Sequence, residues 1–161
     1  MLRPELLRAE RGPGLTIVPR ARTASADDLI AIRALLESAG LPTSDLTSAQ
    51  PEFVAIHEEG SLVAAGALQR FGSSALLRSV VVSPARRGTG LGASIVSELE
   101  RIAREAKIAR LILLTETADK FFAQRGYHVM ERSAAPVDVQ RSEEFRSLCP
   151  SSAVCMTKAL A

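Results

Sequence analysis

The chain has 161 residues, 47% hydrophobic and 24% charged, the balance of a globular domain rather than a disordered segment. At ~100–200 residues per domain, that length makes one domain with one sizeable core. Twenty Lys and Arg against eighteen Asp and Glu leave +2, with no Trp and a single Tyr, which excludes a dedicated nucleic-acid binder: neither the basic surplus nor base-stacking aromatics are there. The longest apolar run, Leu62–Leu68, is far short of the ~20 residues of a membrane helix, and no signal-type start is seen. Cys149 and Cys155 alone form neither a disulfide framework nor a metal cage. The expectation is a cytoplasmic protein with no membrane, nucleic-acid or metal partner.

Residues 1–14 close on the breakers Gly12-Pro13-Gly14 and are expected to be a flexible extension, with 15–161 the folded domain. Thr16–Ala21 reads as a short strand. Ser25 followed three residues on by Asp28 resembles a capping box, and Leu29, Ile32, Leu36 and Ala39 then mark one helical face, ended by Gly40 and Pro42. Thr43–Gln50 is polar, a short helix or a loop. Phe53–His57, Leu62–Phe71 and Ala75–Val82 read as strands joined by tight turns at Glu58–Ser61 and Gly72–Ser74. Leu91, Ile95, Leu99, Ile102 and Ala106 mark an amphipathic helix. Leu111–Thr115 is a buried strand, Asp119–Arg125 a short helix stopped by Gly126, Tyr127–Arg132 a strand, and Ala153–Lys158 a last strand after a loop. The sum is α/β (α+β): a mixed sheet with helices on both faces.

Between a buried strand and the amphipathic helix stands Ser83-Pro-Ala-Arg-Arg87-Gly88-Thr89-Gly90-Leu91-Gly92. Glycines at alternate positions allow a tight bend and the close approach of a ligand. The first amides of the following helix lack internal acceptors and carry fractional positive charge. With Arg86 and Arg87 they make a cradle for an anion, a pyrophosphate above all; the plainer alternative is a glycine-rich strand–helix joint. A Walker loop is excluded because no Lys follows the glycines. A dinucleotide fingerprint is disfavoured by the Gly-x-Gly-x-Gly spacing and the hairpin-linked strands before it.

The arrangement resembles the GNAT acyltransferase superfamily, whose hallmark Arg/Gln-x-x-Gly-x-Gly/Ala is matched by Arg87-Gly88-Thr89-Gly90-Leu91-Gly92 after Val82-Ser83-Pro84. Downstream, the Thr115–Tyr127 segment is similar to the family's Asn-x-x-Ala…Phe-Tyr…Gly-Phe stretch. The resemblance covers about residues 15–158 and implies a mostly antiparallel mixed sheet and acetyl-CoA as co-substrate. It further implies pyrophosphate held at Arg87–Gly92, a pantetheine arm paired with the backbone of Val80, Val81 and Val82, contacts from Thr115 and Phe122, and a homodimer. Two positions depart from the pattern. Thr115 stands where the family often has a pantetheine-bonding Asn, and Phe122 where it often has a proton-donating Tyr.

The Leu113–Tyr127 stretch also resembles the acetyltransferase part of bacterial N-acetylglutamate synthases, and the tail from Glu144 to Met156 a small GNAT subgroup encoded in arsenic-resistance operons. The likeness implies N-acetylation of a small amino acid or glutamate-like analogue, an arsenic-containing one included. The competing readings are acetylation of a protein or peptide, and an inactive acyl-CoA-binding sensor. A free amino acid needs a partner for its carboxylate. Arg78, in an apolar run, is a candidate clamp or else an edge residue paired with a surface acid; Arg70, Ser79 and Thr117 are further acceptor-binding candidates. Strand alternation puts Arg78 and Val80 on one face, Ser79 and Val81 on the other. Glu116 is the candidate general base, or a cap for the helix that follows. His57, His128, Cys149 and Cys155 read as surface or packing residues.

Overall fold

The computed structural model describes residues 19–160. The expected extension 1–14 and residues 16–18 of the first expected strand lie outside them. Residues 19–21 are irregular, and β1 is Arg22–Thr23. Helix α1, Asp28–Ser38, buries Ile32 and Leu36. The anticipated capping box forms only in part: the Ser25 amide and hydroxyl both donate to Asp28 Oδ2, at 2.8 and 3.1 Å, but the N-cap is Asp27 and no side chain caps a helix amide. Of the ambiguous segment, Leu46–Ala49 is helical (α2).

Strands β2 (Glu52–Glu58), β3 (Ser61–Phe71) and β4 (Ser74–Val82) form an antiparallel meander. Glu59 and Gly60, at φ 51° and 79°, take the primed turn whose twist suits a two-residue hairpin. Then come α3 (Leu91–Glu105), β5 (Arg110–Thr115), α4 (Asp119–Ala123), β6 (His128–Val129), α5 (Val137–Gln140) and β7 (Val154–Ala159). The sheet runs β1-β2-β3-β4-β5-β7-β6, antiparallel except for the β4–β5 pair. The expected strand Tyr127–Arg132 is reduced to His128–Val129, after which the chain turns at Arg132–Ala134. The expected loop before β7 contains α5 and a helical turn, Glu144–Leu148.

Alternation in the strands divides the core. On one face α3 lays Ile95, Val96 and Leu99 over Val54, Ile56, Leu68, Leu77, Leu111 and Leu113. On the other, Ile32 and Leu36 of α1 cover Phe53, Ala55, Ala65, Ala67 and Val81. Beside that cluster, Val139 of α5 and Phe145 cover Leu76, Ile112 and Cys155.

One irregularity builds the site. Arg78 pairs with Ala67 and Val81 with Ala65, so Ser79 and Val80 together oppose Gly66. This is a β-bulge, and Ser79 sits in it with φ 59°. The extra residue reverses the alternation: Leu77 and Val80 both meet the α3 core, while Arg78 lies on the opposite face. Arg78 and Val80 therefore do not share a face, which corrects the expectation from simple alternation. Gly66 allows the fit, since a Cβ there would stand 2.5 Å from Ile95 Cγ2. Pairing of β4 with β5 stops at Leu76 and Ile112, whereas β5 continues along β7 to Thr115. Beyond Leu76 the two parallel strands separate.

Candidate active site

The gap between the strands is a cavity of about 410 Å³. Leu77, Arg78, Ser79 and Val80 line it from β4, and Leu113 to Ala118 with Phe122 from the β5 side. The loop Ala39–Pro42 and the segment around Glu144, Leu148, Cys149 and Pro150 complete its wall. Of the anticipated residues, Arg78, Ser79, Val80, Thr115, Glu116, Thr117 and Phe122 meet here. Val81 and Val82 are buried in opposite cores, but their backbone belongs to the stretch of β4 that has no β5 partner. Arg70 is elsewhere, exposed and donating Nη2 to Glu52 at 2.8 Å, so its place in the acceptor site is withdrawn.

Past the end of β4 the chain makes a helical turn at Pro84–Arg86 and enters α3 through Gly88 and Gly90, with φ 80° and 89°. Such angles strain any side-chain-bearing residue. The first intrahelical bond runs from the Ser94 amide to Gly90 O. The amides of Leu91, Gly92 and Ala93 thus have no helical acceptor, and the N-cap residue supplies no side chain. Thr89 Oγ1 donates to Arg86 O at 2.6 Å and holds the turn. Arg86 is committed to Glu58 at 2.8 Å, whereas Arg87 donates Nε to Val82 O at 3.2 Å, which fastens it beside the turn.

At the end of β5, Thr115 Oγ1 accepts the Ala118 amide at 2.9 Å. Thr115, not Glu116, closes the turn into α4, which leaves the Glu116 carboxylate on the exposed lip of the cavity. Phe122 is packed edge-to-face with Phe121 and Tyr127, centroids 5.0 and 5.3 Å apart. The Tyr127 hydroxyl donates to Glu100 Oε2 at 2.7 Å, and burial followed by Glu100 pushes its pKa far up. Tyr127 therefore does not stand in for the missing phenol at Phe122.

The inner wall holds what sequence reasoning missed. Arg78, its side chain 0% exposed, sends Nη1 and Nη2 to the two oxygens of Asp45 at 2.6 Å each, and Nη1 also to Gln69 Oε1 at 2.9 Å. Nε reaches Ser79 Oγ at 3.3 Å, and Glu144 Oε1 is 3.3 Å from Nη2. Burial opposes the guanidinium's charge, but Asp45 and Glu144 outweigh it and keep the pKa above its ordinary value. Burial pushes the Glu144 carboxyl up against the pull of Arg78, and the Cys149 thiol up to about 12. Arg78 is thus neither an edge residue nor a free clamp. The signal for its partners was Arg78 itself, since a buried guanidinium demands acids; nothing marked which acids.

No helix among the described residues is long and apolar enough to cross a membrane, and none of their His, Cys, Asp and Glu form a group of three or more that could hold a metal. A bulged β4 splayed from β5, above a glycine turn that opens a helix, defines an acyltransferase site. The Acetyltransferase (GNAT) domain model matches residues 49–129, and the chain belongs to that family. It is an N-acetyltransferase with acetyl-CoA as co-substrate.

An amino-acid acetyltransferase of Mycobacterium tuberculosis is 34% identical over 145 residues, 84% of this chain and 78% of that protein. The crystal structure of Rv2747 from the same organism, in complex with CoA and NLQ, superposes with TM-score 0.77 at 28% identity, covering 89% of this chain and 100% of that one. N-acetylglutamate synthase from Neisseria gonorrhoeae, complexed with coenzyme A and N-acetyl-glutamate, shares the fold with TM-score 0.78 at 22% identity. The match covers 91% of this chain and 36% of the synthase chain.

Proposed function

We propose that the protein transfers the acetyl group of acetyl-CoA to the amino group of a small, glutamate-like amino acid, both substrates being bound together. The observation that carries this reading is the 410 Å³ cavity in the splay, bounded on its inner wall by the Arg78 cluster. That volume suits a thioester and a small acceptor. The amino-acid acetyltransferase relative and the neighbours holding NLQ or N-acetyl-glutamate support the same class.

In this reading the amides at Gly88–Gly92 and the Arg87 side chain hold the pyrophosphate, and the backbone of Val80–Val82 takes the pantetheine arm as a further strand. Thr115 lends its hydroxyl proton beside that arm. Acetyl-CoA supplies an activated acyl carbon. Glu116, at the lip, accepts a proton from the acceptor ammonium, directly or through water. The freed amine bonds to the acyl carbon as the carbon–sulfur bond breaks, and the nitrogen releases its second proton to solvent to give the amide. Phe122 cannot protonate the leaving thiolate, which takes its proton from solvent, as a low-pKa thiol tolerates. Ser79 and Thr117 border the acceptor.

Thiol release with acetyl-CoA over a panel of L-glutamate, L-glutamine, an arsenic-containing glutamate analogue and a short peptide tests the assignment. Turnover on free amino acids is expected. Turnover confined to the peptide overturns it, and CoA binding without any turnover favours the sensor reading that Phe122 motivates.

A further inference from the structure

The buried cluster on the inner wall holds one cation and two carboxylates, and its three members are not held equally. Asp45 takes both Arg78 nitrogens in a two-bond fork at 2.6 Å, a geometry that commits it. Gln69 and Ser79 engage Nη1 and Nε. The second N–H of Nη2 is left to Glu144, at 3.3 Å, longer than a charge-assisted hydrogen bond of ~2.7–2.9 Å. Glu144 differs from Asp45 in two further ways. It lines the cavity, as Asp45 does not, and it comes from the irregular turn Glu144–Leu148, whose hydrogen bonds follow the wider π pattern that is frequent at functional positions. Asp45 and Arg78 already form a matched pair, so Glu144 adds a second carboxyl to the buried side of a ligand cavity.

A guanidinium donor held by a protein carboxylate at 3.3 Å is one that a better-aligned ligand carboxylate can take over. We propose that Glu144 is an internal surrogate for the acceptor's carboxylate: it occupies the outward donor of Arg78 in the empty enzyme and is exchanged for the acceptor's carboxylate when the amino acid binds. The exchange keeps the number of carboxylates on Arg78 constant and leaves the Asp45 fork intact. It makes the site selective. An acceptor that lacks a carboxylate has nothing with which to displace Glu144, whereas an amino acid replaces one carboxylate by another and gains a better-aligned bond. Glu144 is a specificity-determining residue in this account, and the account rests on the amino-acid acceptor proposed above.

The test is the replacement Glu144→Gln, which keeps the shape and removes the charge that competes for Arg78. L-glutamate, and ethylamine as an amine without a carboxylate, are titrated calorimetrically into the CoA-loaded protein, and KM and kcat are measured for both where turnover occurs. Glu144→Gln is expected to tighten L-glutamate binding about tenfold, the step that ~1.4 kcal/mol of relieved competition represents. Ethylamine binding and the KM for acetyl-CoA are expected to stay unchanged. Glu144→Ala, which also vacates the space, should tighten L-glutamate at least as much; thermal unfolding of both variants confirms that they are folded.

Weaker or unchanged L-glutamate affinity in both variants overturns the proposal, because Glu144 then helps to hold the acceptor or does not touch its subsite. Equal tightening of L-glutamate and ethylamine overturns it too, because the effect then is not carboxylate exchange. Tightening of L-glutamate without turnover on any amine leaves the exchange standing and refutes the acceptor assignment instead. Absence of L-glutamate binding to all three proteins refutes both.

Discussion

Arg78→Ala removes the cation from beneath two carboxylates. The side chain is 0% exposed and Asp45 is 3% exposed, with both Asp45 oxygens bonded to it at 2.6 Å. Glu144, 7% exposed, loses its neighbour as well. Removing one partner of such a buried pair costs about 3–5 kcal/mol, because the remaining charge is left uncompensated. Domain stabilities run to only ~5–15 kcal/mol, so the loss is a large fraction of the whole. At ~2–4 °C per kcal/mol for a domain of this size, thermal unfolding should shift down by about 6–20 °C. Circular dichroism melts and urea titrations, each with and without CoA, measure it. Arg78→Lys should recover part of the loss, since one ammonium cannot make the fork to both Asp45 oxygens. The combined replacement Arg78→Met, Asp45→Leu, Glu144→Leu should recover more, because an apolar trio leaves no buried charge unpaired. A loss below about 1 kcal/mol for Arg78→Ala would refute the reasoning, showing that the two carboxyls find protons or water when the guanidinium is gone.

Gly66→Ala places a methyl 2.5 Å from Ile95 Cγ2 and 3.1 Å from Leu99 Cδ1; overpacking of this kind costs about 1–3 kcal/mol, and an unchanged urea midpoint would show that α3 can slide aside. Phe122→Tyr should retain turnover and raise kcat, since the ring already borders the cavity; a large loss in the thiol-release assay would mean that the contacts with Phe121 and Tyr127 leave no room for a hydroxyl. Glu144→Gln also has a pH signature. Burial raises the folded pKa of Glu144 above its ordinary 4.5, so this group favours the folded state below that ordinary value and the advantage is lost as pH rises through the folded pKa. The variant should therefore melt higher than the parent near neutral pH, with the difference shrinking as pH falls towards about 4; a constant difference across that range contradicts the shift.

The parts of the molecule written in local pattern were readable beforehand. Leu91, Ile95 and Leu99 announce α3 because the helical period is a property of neighbours along one chain, and Gly88 and Gly90 announce their turn because only glycine takes φ near +85° without strain. The bulge at Ser79 was invisible because it is a mismatch between two strands: Ser79 and Val80 oppose Gly66 only through the register of β3. The partners of Arg78 were hidden for a related reason. Asp45 lies 33 residues away, and Glu144 comes from a stretch too short and irregular to show a period. Arg70 and Arg78 look alike on neighbouring strands; tertiary packing alone makes one a surface residue bonded to Glu52 and the other a buried hub.

The early end of β4–β5 pairing gives this sheet edges in its interior. Edge strands ordinarily sit at the rim, where unpaired amides and carbonyls invite other chains to add on, and proteins blunt them with charge or short length. Here the outer strands β1 and β6 are two residues each, too short to template much. The longer unpaired stretch, Leu77–Val82, faces inward across a cleft roofed by the Ala39–Pro42 loop and the Glu144–Pro150 segment. In the function proposed above, that stretch of backbone is the template for the pantetheine arm, a ligand slender enough to lie in the cleft. The fold thereby places a stretch of sheet edge at the ligand cavity rather than at the rim of the sheet.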